Sequence, residues 1–489
     1  MKSSTQSTKA ERDKLRIAFV HPDLGIGGAE RLVVDAAMGL QEKGHEVVIY
    51  TSHCDKAHCF EEIKNGQLKV EVLGDFLPTN FNGKLFILFA NLRQLYLTSK
   101  LAVTGRIKSN DLYVVDQLST CVPLFHMLGK RSKVLFYCHF PDQLLAPRTS
   151  LLKKLYRIPF DLLEELTMNS ADCIVVNSKF TRSVYHKTFR LMAQEPNVVY
   201  PCVGLETQRV PNEDHSRFNS LMSNDTKFYL SINRYERKKN IELAITSFAL
   251  SSQSSCSNVK LVLAGGYDER IVENKQYLRE LQDAAHNLKL SFVTLHYPHW
   301  DASSPSADNV AGAKIIFLTS VSSSLKDLLL QKSEMLLYTP SHEHFGIVPL
   351  EAMKLGRPVL AVNNGGPLET VVTLTPKLNE SEATGWLRPS DPEHWAAAIE
   401  EAVPYLSGNR TIFHENGPAR VRNLFSRDAM TVQFEKNIGE LSWSDNKNSF
   451  LHYIARFAFF LALLLPVLLF SGARAWPFGL FVASFSFAF

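Results

Sequence analysis

The chain has 489 residues, of which 45% are hydrophobic and 21% charged, and its formal net charge is +4. That length exceeds one ordinary hydrophobic core, so two or three domains are expected, and the composition excludes a disordered polyelectrolyte. So small a charge gives no case for nucleic acid as a partner, although a local basic patch can still meet an anionic membrane.

Residues 1–14 are polar and charged, with no apolar core before a cleavage site, so they form a tail and not a secretory signal. Short apolar runs then alternate with helical stretches: 17–20, 47–50, 70–73, 112–115, 134–138, 173–176 and 197–200. Continuous runs of this length predict strands buried on both faces, as in parallel sheets. Two helical segments between them are unusually apolar. Residues 85–103 contain only Arg93 and Lys100 as charges, and 151–166 carry a leucine stripe beside Lys153, Lys154 and Arg157. Each fits either an anionic membrane surface or the flank of its own sheet. Residues 207–226 are polar and mostly aperiodic and predict a linker. The strand pattern restarts at 228–232, 259–264, 292–295, 315–318, 335–338 and 359–362. The fold class is therefore α/β: two doubly wound, Rossmann-like domains, 15–206 and 227–445, facing a cleft. Ligands of such sheets bind beyond the carboxyl ends of the strands.

Residues 450–489 are hydrophobic, in two runs, 454–470 and 478–489, with Arg456 near the start of the first. A straight span needs ~20 residues. These runs predict a C-terminal membrane anchor, either one span with Arg456 reaching the interface or a hairpin that re-enters. The seven cysteines match no zinc or disulfide spacing, so reduced thiols in a cytosol-facing body are expected, with the sequons at Asn224, Asn379 and Asn409 unmodified.

The motifs lie at strand ends. Gly25-Ile26-Gly27-Gly28-Ala29-Glu30-Arg31 follows the first strand and opens a helix. Glycines admit close backbone approach, and a helix N-terminus offers N–H groups to an anion. Glu30 stands where a dinucleotide fingerprint needs its third glycine, which argues against NAD. His139 closes the strand 134–138 and opens His139-Phe140-Pro141-Asp142. In the second half, Arg234 and Lys239 leave the strand 228–232. A planar guanidinium fork and a point charge together suit a diphosphate. The run Ser341-His342-Glu343-His344-Phe345-Gly346-Ile347-Val348-Pro349-Leu350-Glu351 follows the strand 335–338. Glu343 falls on the loop, and Glu351 is expected in the first turn of a helix beginning near Val348–Pro349. The backbone N–H groups of Gly346 and Ile347 can meet phosphate. A second glycine-rich turn, Asn363-Asn364-Gly365-Gly366-Pro367-Leu368-Glu369, suits phosphate or sugar. No D-x-D triplet occurs, so no metal and no cofactor are required by the sequence; stimulation by a divalent ion stays open.

The Glu-x7-Glu element, the Arg–Lys pair and the Gly27-Gly28-Ala29-Glu30-Arg31 loop resemble those of the GT-B retaining glycosyltransferases (family 4 type), from about Arg16 to Asp428. His139-Phe140-Pro141-Asp142-Gln143-Leu144-Leu145 after Cys138, Asn177-Ser178-Lys179-Phe180-Thr181 and the paired C-terminal runs resemble the α-1,3/1,6-mannosyltransferases of the endoplasmic reticulum. One departure is Asn233 before Arg234, where many relatives have glycine. The resemblance implies transfer of mannose from GDP-mannose to a dolichyl-diphosphate-linked oligosaccharide, making one α-1,3 and one α-1,6 linkage in the early N-glycan precursor. It implies an enzyme on the reticulum membrane with its body in the cytosol, beside other transferases of that pathway. It also implies roles at matched positions. Glu343 and His139 contact the mannose. Arg234 and Lys239 hold the diphosphate, Gly346 and Ile347 offer N–H groups to phosphate, and Glu351 holds the ribose. Gly27 and Gly28 line the cleft, and Glu369 joins the donor set. The alternatives are another donor or lipid acceptor on the same fold, and an inactive membrane-bound scaffold.

Overall fold

The computed structural model describes residues 14–443, except 130–131, 147, 193, 207–208, 223–224, 301–306 and 408–409. Both hydrophobic runs expected to anchor the chain lie outside the described residues. Among the described residues no helix is long and apolar enough to cross a membrane.

The chain divides into two compact units. Within the described residues unit 1 comprises 14–176, 182–197 and 434–443, and unit 2 comprises 177–181 and 198–433. The backbone therefore passes between units at four places, none of them inside the expected linker. Residues 212–221 of that segment form the helix Asn212–Leu221, which buries Asp214 and Leu221.

The first sheet has seven strands: β1 Arg16–His21, β2 Glu46–Thr51, β3 Lys69–Val72, β4 Leu112–Asp116, β5 Lys133–Cys138 and β6 Cys173–Val176, all of unit 1, and β7 Asn197–Val198 at the unit boundary. Their order is β3-β2-β1-β4-β5-β6-β7, with parallel ladders from β3 through β6. Unit 2 carries β8 Lys227–Ile232, β9 Val259–Gly265, β10 Phe292–His296, β11 Ile315–Thr319, β12 Met335–Tyr338, β13 Val359–Val362 and β14 Gly385–Arg388. These lie in the order β10-β11-β9-β8-β12-β13-β14, again parallel. The unbroken apolar runs follow from this arrangement. Alternate residues of a strand face opposite sides of the sheet, and unit 2 has a separate core on each side. Tyr229, Leu261, Leu263 and Leu337 enter one core, while Phe228, Leu230, Val262 and Leu336 enter the other.

The two apolar helices of unit 1 behave differently. Phe86–Val103 buries Asn91, Arg93, Gln94, Leu97, Thr98 and Leu101. Arg93 donates to the carbonyls of Leu77 and Ser52, and Gln94 to that of Leu118. Polar side chains thus dock this helix onto main-chain acceptors. Leu151–Met168 buries Arg157, Leu163, Glu165, Thr167 and Met168. Its apolar stripe stays outside: Leu151, Leu152, Leu155, Ile158, Leu162 and Leu166 are all exposed, as are Leu144 and Leu145 nearby. Arg157 points inward to Asp142 at 2.7 Å and Asp161 at 3.3 Å.

Candidate active site

In unit 2 the Arg–Lys loop leaves β8 through Asn233, whose side chain donates to Ser231. A Cβ on Gly265, at the end of β9, would lie 1.9 Å from the Asn233 carbonyl oxygen, so this close approach requires glycine. Arg234 is exposed and pairs with Glu236 at 2.8 Å, and Lys238 pairs with the other oxygen of Glu236 at 3.0 Å. Lys239 ends a single 3₁₀ turn, Arg237–Lys239, closed by Asn240 at φ 48°. Thr339, just beyond β12, donates to the Lys239 carbonyl at 2.7 Å. That bond brings the lysine to the glutamate loop, where its ammonium reaches Glu343 Oε1 at 2.5 Å. Tyr338 also hydrogen-bonds Glu343; burial and then this carboxylate push the Tyr338 phenol far above its ordinary pKa.

The loop after β12 has two residues in the left-handed region, His342 at φ 57° and Gly346 at φ 86°. Gly346 caps the helix Ile347–Lys354. That helix starts earlier than Val348, so Glu351 is its fifth residue and lies past the first turn. This corrects the expected placement. Lys326, on the helix Ser323–Lys332, reaches Glu351 Oε1 at 2.6 Å. Glu351 Oε2 is closed to solvent and has no hydrogen-bond partner among the described residues.

The second glycine-rich turn does not stand open to a ligand. Gly366 N–H donates to the Glu343 carbonyl at 2.8 Å. The Asn364 side chain accepts from His342 N–H at 2.6 Å. A Cβ on Gly366 would lie 2.0 Å from the Phe345 carbonyl oxygen, and one on Gly365 would lie 2.7 Å from that of Glu343. These glycines serve to pack one loop against the other. Glu369 is likewise engaged: its carboxylate accepts from Lys179 N–H at 2.8 Å, Phe180 N–H at 2.9 Å and the Tyr200 hydroxyl at 3.0 Å. It caps a helix start within unit 2.

In unit 1, β1, β4 and β5 end in His21, Asp116 and Cys138, the last followed by His139. Asp116 accepts from His21 Nδ1 at 2.9 Å and from His139 Nε2 at 2.9 Å. The side chains of His21 and Asp116 are buried, while that of His139 is 20% exposed. Burial alone would strip the charge from His21, but Asp116 and Glu30 more than offset it and raise its pKa to about 10. Burial likewise opposes ionisation of Asp116, yet His21 and His139 hold it down at about 2. Glu30 folds back over the glycine loop: a Cβ on Gly27 would lie 2.2 Å from Glu30 Oε2, whereas one on Gly28 would meet nothing. Burial works against the Glu30 charge, but His21 and its own backbone N–H keep its pKa below the usual value. The N-terminus of the helix Gly28–Glu42 therefore already holds an anion from this chain, which narrows its use for phosphate. The motif after His139 is fixed by Glu164, which accepts from Asp142 N–H at 2.8 Å and Gln143 N–H at 3.2 Å. Burial pushes the Glu164 carboxyl up to about 8.

Unit 2 thus assembles Lys239 with Glu343, places Gly346 and Ile347 at a helix start, and leaves Arg234 exposed at the end of β8. Sequence reasoning missed His21, Asp116 and Lys326. His21 and Asp116 close the apolar runs of β1 and β4, as His139 follows that of β5, so the same strand-end signal pointed to them.

The Glycosyltransferase Family 4 model matches residues 26–207, and the Glycosyl transferases group 1 model matches 212–301 and 306–416. "Alpha-1,3/1,6-mannosyltransferase ALG2" of Saccharomyces cerevisiae is 54% identical over 484 residues, covering 97% of this chain and 94% of the relative. The protein of that name from Candida glabrata is 58% identical over 461 residues, covering 94% and 99%. Among solved structures, sucrose-phosphate synthase from Thermosynechococcus elongatus aligns with a TM-score of 0.61 at 18% identity, covering 87% of this chain and 99% of that one. The catalytic domain of starch synthase IV from Arabidopsis thaliana gives 0.61 at 13% identity, with the same coverage. These likenesses show the GT-B fold alone.

Proposed function

Because the chain belongs to the group 1 glycosyltransferases and, within them, to the α-1,3/1,6-mannosyltransferases, we propose that it transfers mannose from GDP-mannose to a dolichyl-diphosphate-linked oligosaccharide in early N-glycan precursor synthesis. The observation that carries the site is the Lys239–Glu343 contact at 2.5 Å, which brings the expected diphosphate cation and the expected sugar carboxylate together. Arg234 and Lys239 neutralise the leaving diphosphate, aided by the N–H groups of Gly346 and Ile347. Glu343 contacts the transferred mannose, and Glu351 holds the ribose. In unit 1, His139 is assigned to the sugar, with Gly28 at the open part of its loop. Transfer is a same-face displacement. The acceptor oxygen bonds to the anomeric carbon, the bond to the diphosphate breaks with its electron pair going to the phosphate oxygen, and that oxygen takes the acceptor's proton. This route calls for no metal, because the cations are side chains.

The enzyme works at the cytosolic face of the endoplasmic reticulum membrane, where its lipid acceptor resides. The outward leucines of Leu151–Met168, with Lys153 and Lys154 exposed among them, suit an anionic bilayer surface. In reconstituted anionic vesicles, where residues 450–489 are expected to keep the protein attached, a photoactivatable lipid should label Leu151–Met168, and replacing Leu151, Leu155 and Leu162 by serine should lower that labelling at least ~10-fold while leaving GDP binding unchanged. A helix that the lipid does not label in the natural protein, or labelling that the triple change leaves intact, removes this stripe from the membrane contact.

The donor assignment is tested with radiolabelled nucleotide sugars. GDP-mannose should support transfer to a lipid-diphosphate acceptor and UDP-glucose should not; a preference for UDP-glucose contradicts the proposal.

A further inference from the structure

Each glutamate of the signature run is met by a lysine, and the two lysines come from different elements. Lys239 meets Glu343 and belongs to the diphosphate loop. Lys326 meets Glu351 and has no place in the assigned set. We propose that Lys326 is a positioning residue, which fixes Glu351 so that its carboxylate accepts from the vicinal hydroxyls of the donor ribose. This rests on the reading that Glu351 meets the ribose.

Three observations carry it. First, Glu351 is the fifth residue of the helix Ile347–Lys354. The favourable field of a helix N-terminus fades within the first turn, so the Glu351 charge needs a partner elsewhere. Its side chain is only 19% exposed, and a carboxylate so placed is costly without a close cation. Lys326 supplies one at 2.6 Å; its other acidic neighbour, Asp327, is at 3.9 Å.

Second, the ammonium occupies Oε1 alone. Oε2 has no hydrogen-bond partner among the described residues although it is closed to solvent. A buried acceptor left unmade is expensive, and a ligand hydroxyl removes that cost. A carboxylate held by one oxygen keeps the other as acceptor.

Third, the helix that carries Lys326 is itself held. Ser322 caps it, accepting from Leu325 N–H at 3.0 Å. Ser322 and Ser324 both donate to Asp214, at 2.7 Å and 2.5 Å. Asp214 is buried and belongs to the helix Asn212–Leu221, the segment expected to be a linker. The lysine is thus built on a fixed element.

The test uses the full-length enzyme and two probes, GDP and 2′,3′-dideoxy-GDP, as inhibitors of GDP-mannose turnover. The natural enzyme should bind GDP at least ~10-fold more tightly than the dideoxy compound, because a site built for hydroxyls leaves its acceptors unpaired without them. Lys326→Ala should reduce that ratio below about threefold. It should also raise KM for GDP-mannose about tenfold with kcat nearly unchanged, as expected for an interaction made equally in ground and transition states. Lys326→Arg should keep most of the ratio. A Lys326→Ala enzyme that keeps the natural ratio overturns the inference and leaves the ribose reading standing. A natural enzyme that fails to distinguish the two probes overturns the ribose reading, and the inference with it. If the alanine variant does not fold, Lys326→Met, which keeps the apolar stem, is judged by the same ratio.

Discussion

Replacing Glu343 by alanine should leave a folded protein whose kcat for mannose transfer has fallen at least ~10²-fold, the scale of removing one preorganised electrostatic contact to a transition state. The stability cost should stay modest, about 1–3 kcal/mol, because removing the partly exposed carboxylate leaves the mostly buried Lys239 ammonium and the Tyr338 hydroxyl without this acceptor. Glu343→Gln should lose nearly as much, because the amide keeps the shape without the charge that holds Lys239. Lys239→Ala should also be severe, and the double variant should lose less than the product of the two single losses, because side chains in contact act as a unit. Steady-state rates with GDP-mannose and a lipid-diphosphate acceptor measure all four. Full elongation by Glu343→Ala removes Glu343 from the chemistry.

The second large effect belongs to unit 1. Asp116→Ala should destabilise the protein by about 3–5 kcal/mol, because it leaves the fully buried His21 cation with the more distant Glu30, at 3.8 Å, as its counter-ion. The effect should depend on pH. The folded-state pKa of His21 is raised from 6.5 to about 10. Its contribution is therefore fully present below pH 6.5 and is lost as pH rises through 10. The pKa of Asp116 is lowered from 3.8 to about 2, so its contribution is present above pH 3.8 and lost as pH falls through 2. The pair is one interaction seen from two sides and counts once. The gap between the natural protein and Asp116→Ala in urea unfolding should be widest between about pH 4 and 6.5 and should narrow towards pH 10. A gap independent of pH removes the ion pair as its cause. Since Asp116 also holds His139 Nε2, the variant should lose activity even where it stays folded.

Much of the architecture was legible because parallel sheets covered on both faces demand unbroken apolar strands. Thirteen of the runs read from the sequence coincide with strands. β14 escaped because Gly385–Arg388 contains only two apolar residues, and its anchor, Trp386, is buried by packing that no local pattern announces. The helix Asn212–Leu221 looked like a linker because its buried residues are just Asp214 and Leu221. A leucine stripe shows that a helix has an apolar side, not what that side faces. On Leu151–Met168 the inward positions include Arg157, Glu165 and Thr167, so the stripe lies outside.

The site was legible in its local part. Glu343, Gly346, Arg234 and Lys239 announce themselves at the ends of β12 and β8. What stayed hidden depends on contacts between residues far apart in sequence. Lys326 meets a glutamate 25 positions away, and Asp116 lies 95 positions from His21. Glu369, in a turn as glycine-rich as the others, is taken up by N–H groups some 190 positions earlier.

This chain is expected to make both mannose linkages from GDP-mannose. The most direct test incubates the purified full-length protein with GDP-mannose and a short-chain lipid-diphosphate trisaccharide, followed by linkage analysis of the product. Two mannoses should be added to the acceptor mannose, one α-1,3 and one α-1,6, and Glu343→Ala should add them at least ~10²-fold more slowly. A product with β linkages, a single linkage at saturation, or no transfer by the natural protein would contradict it.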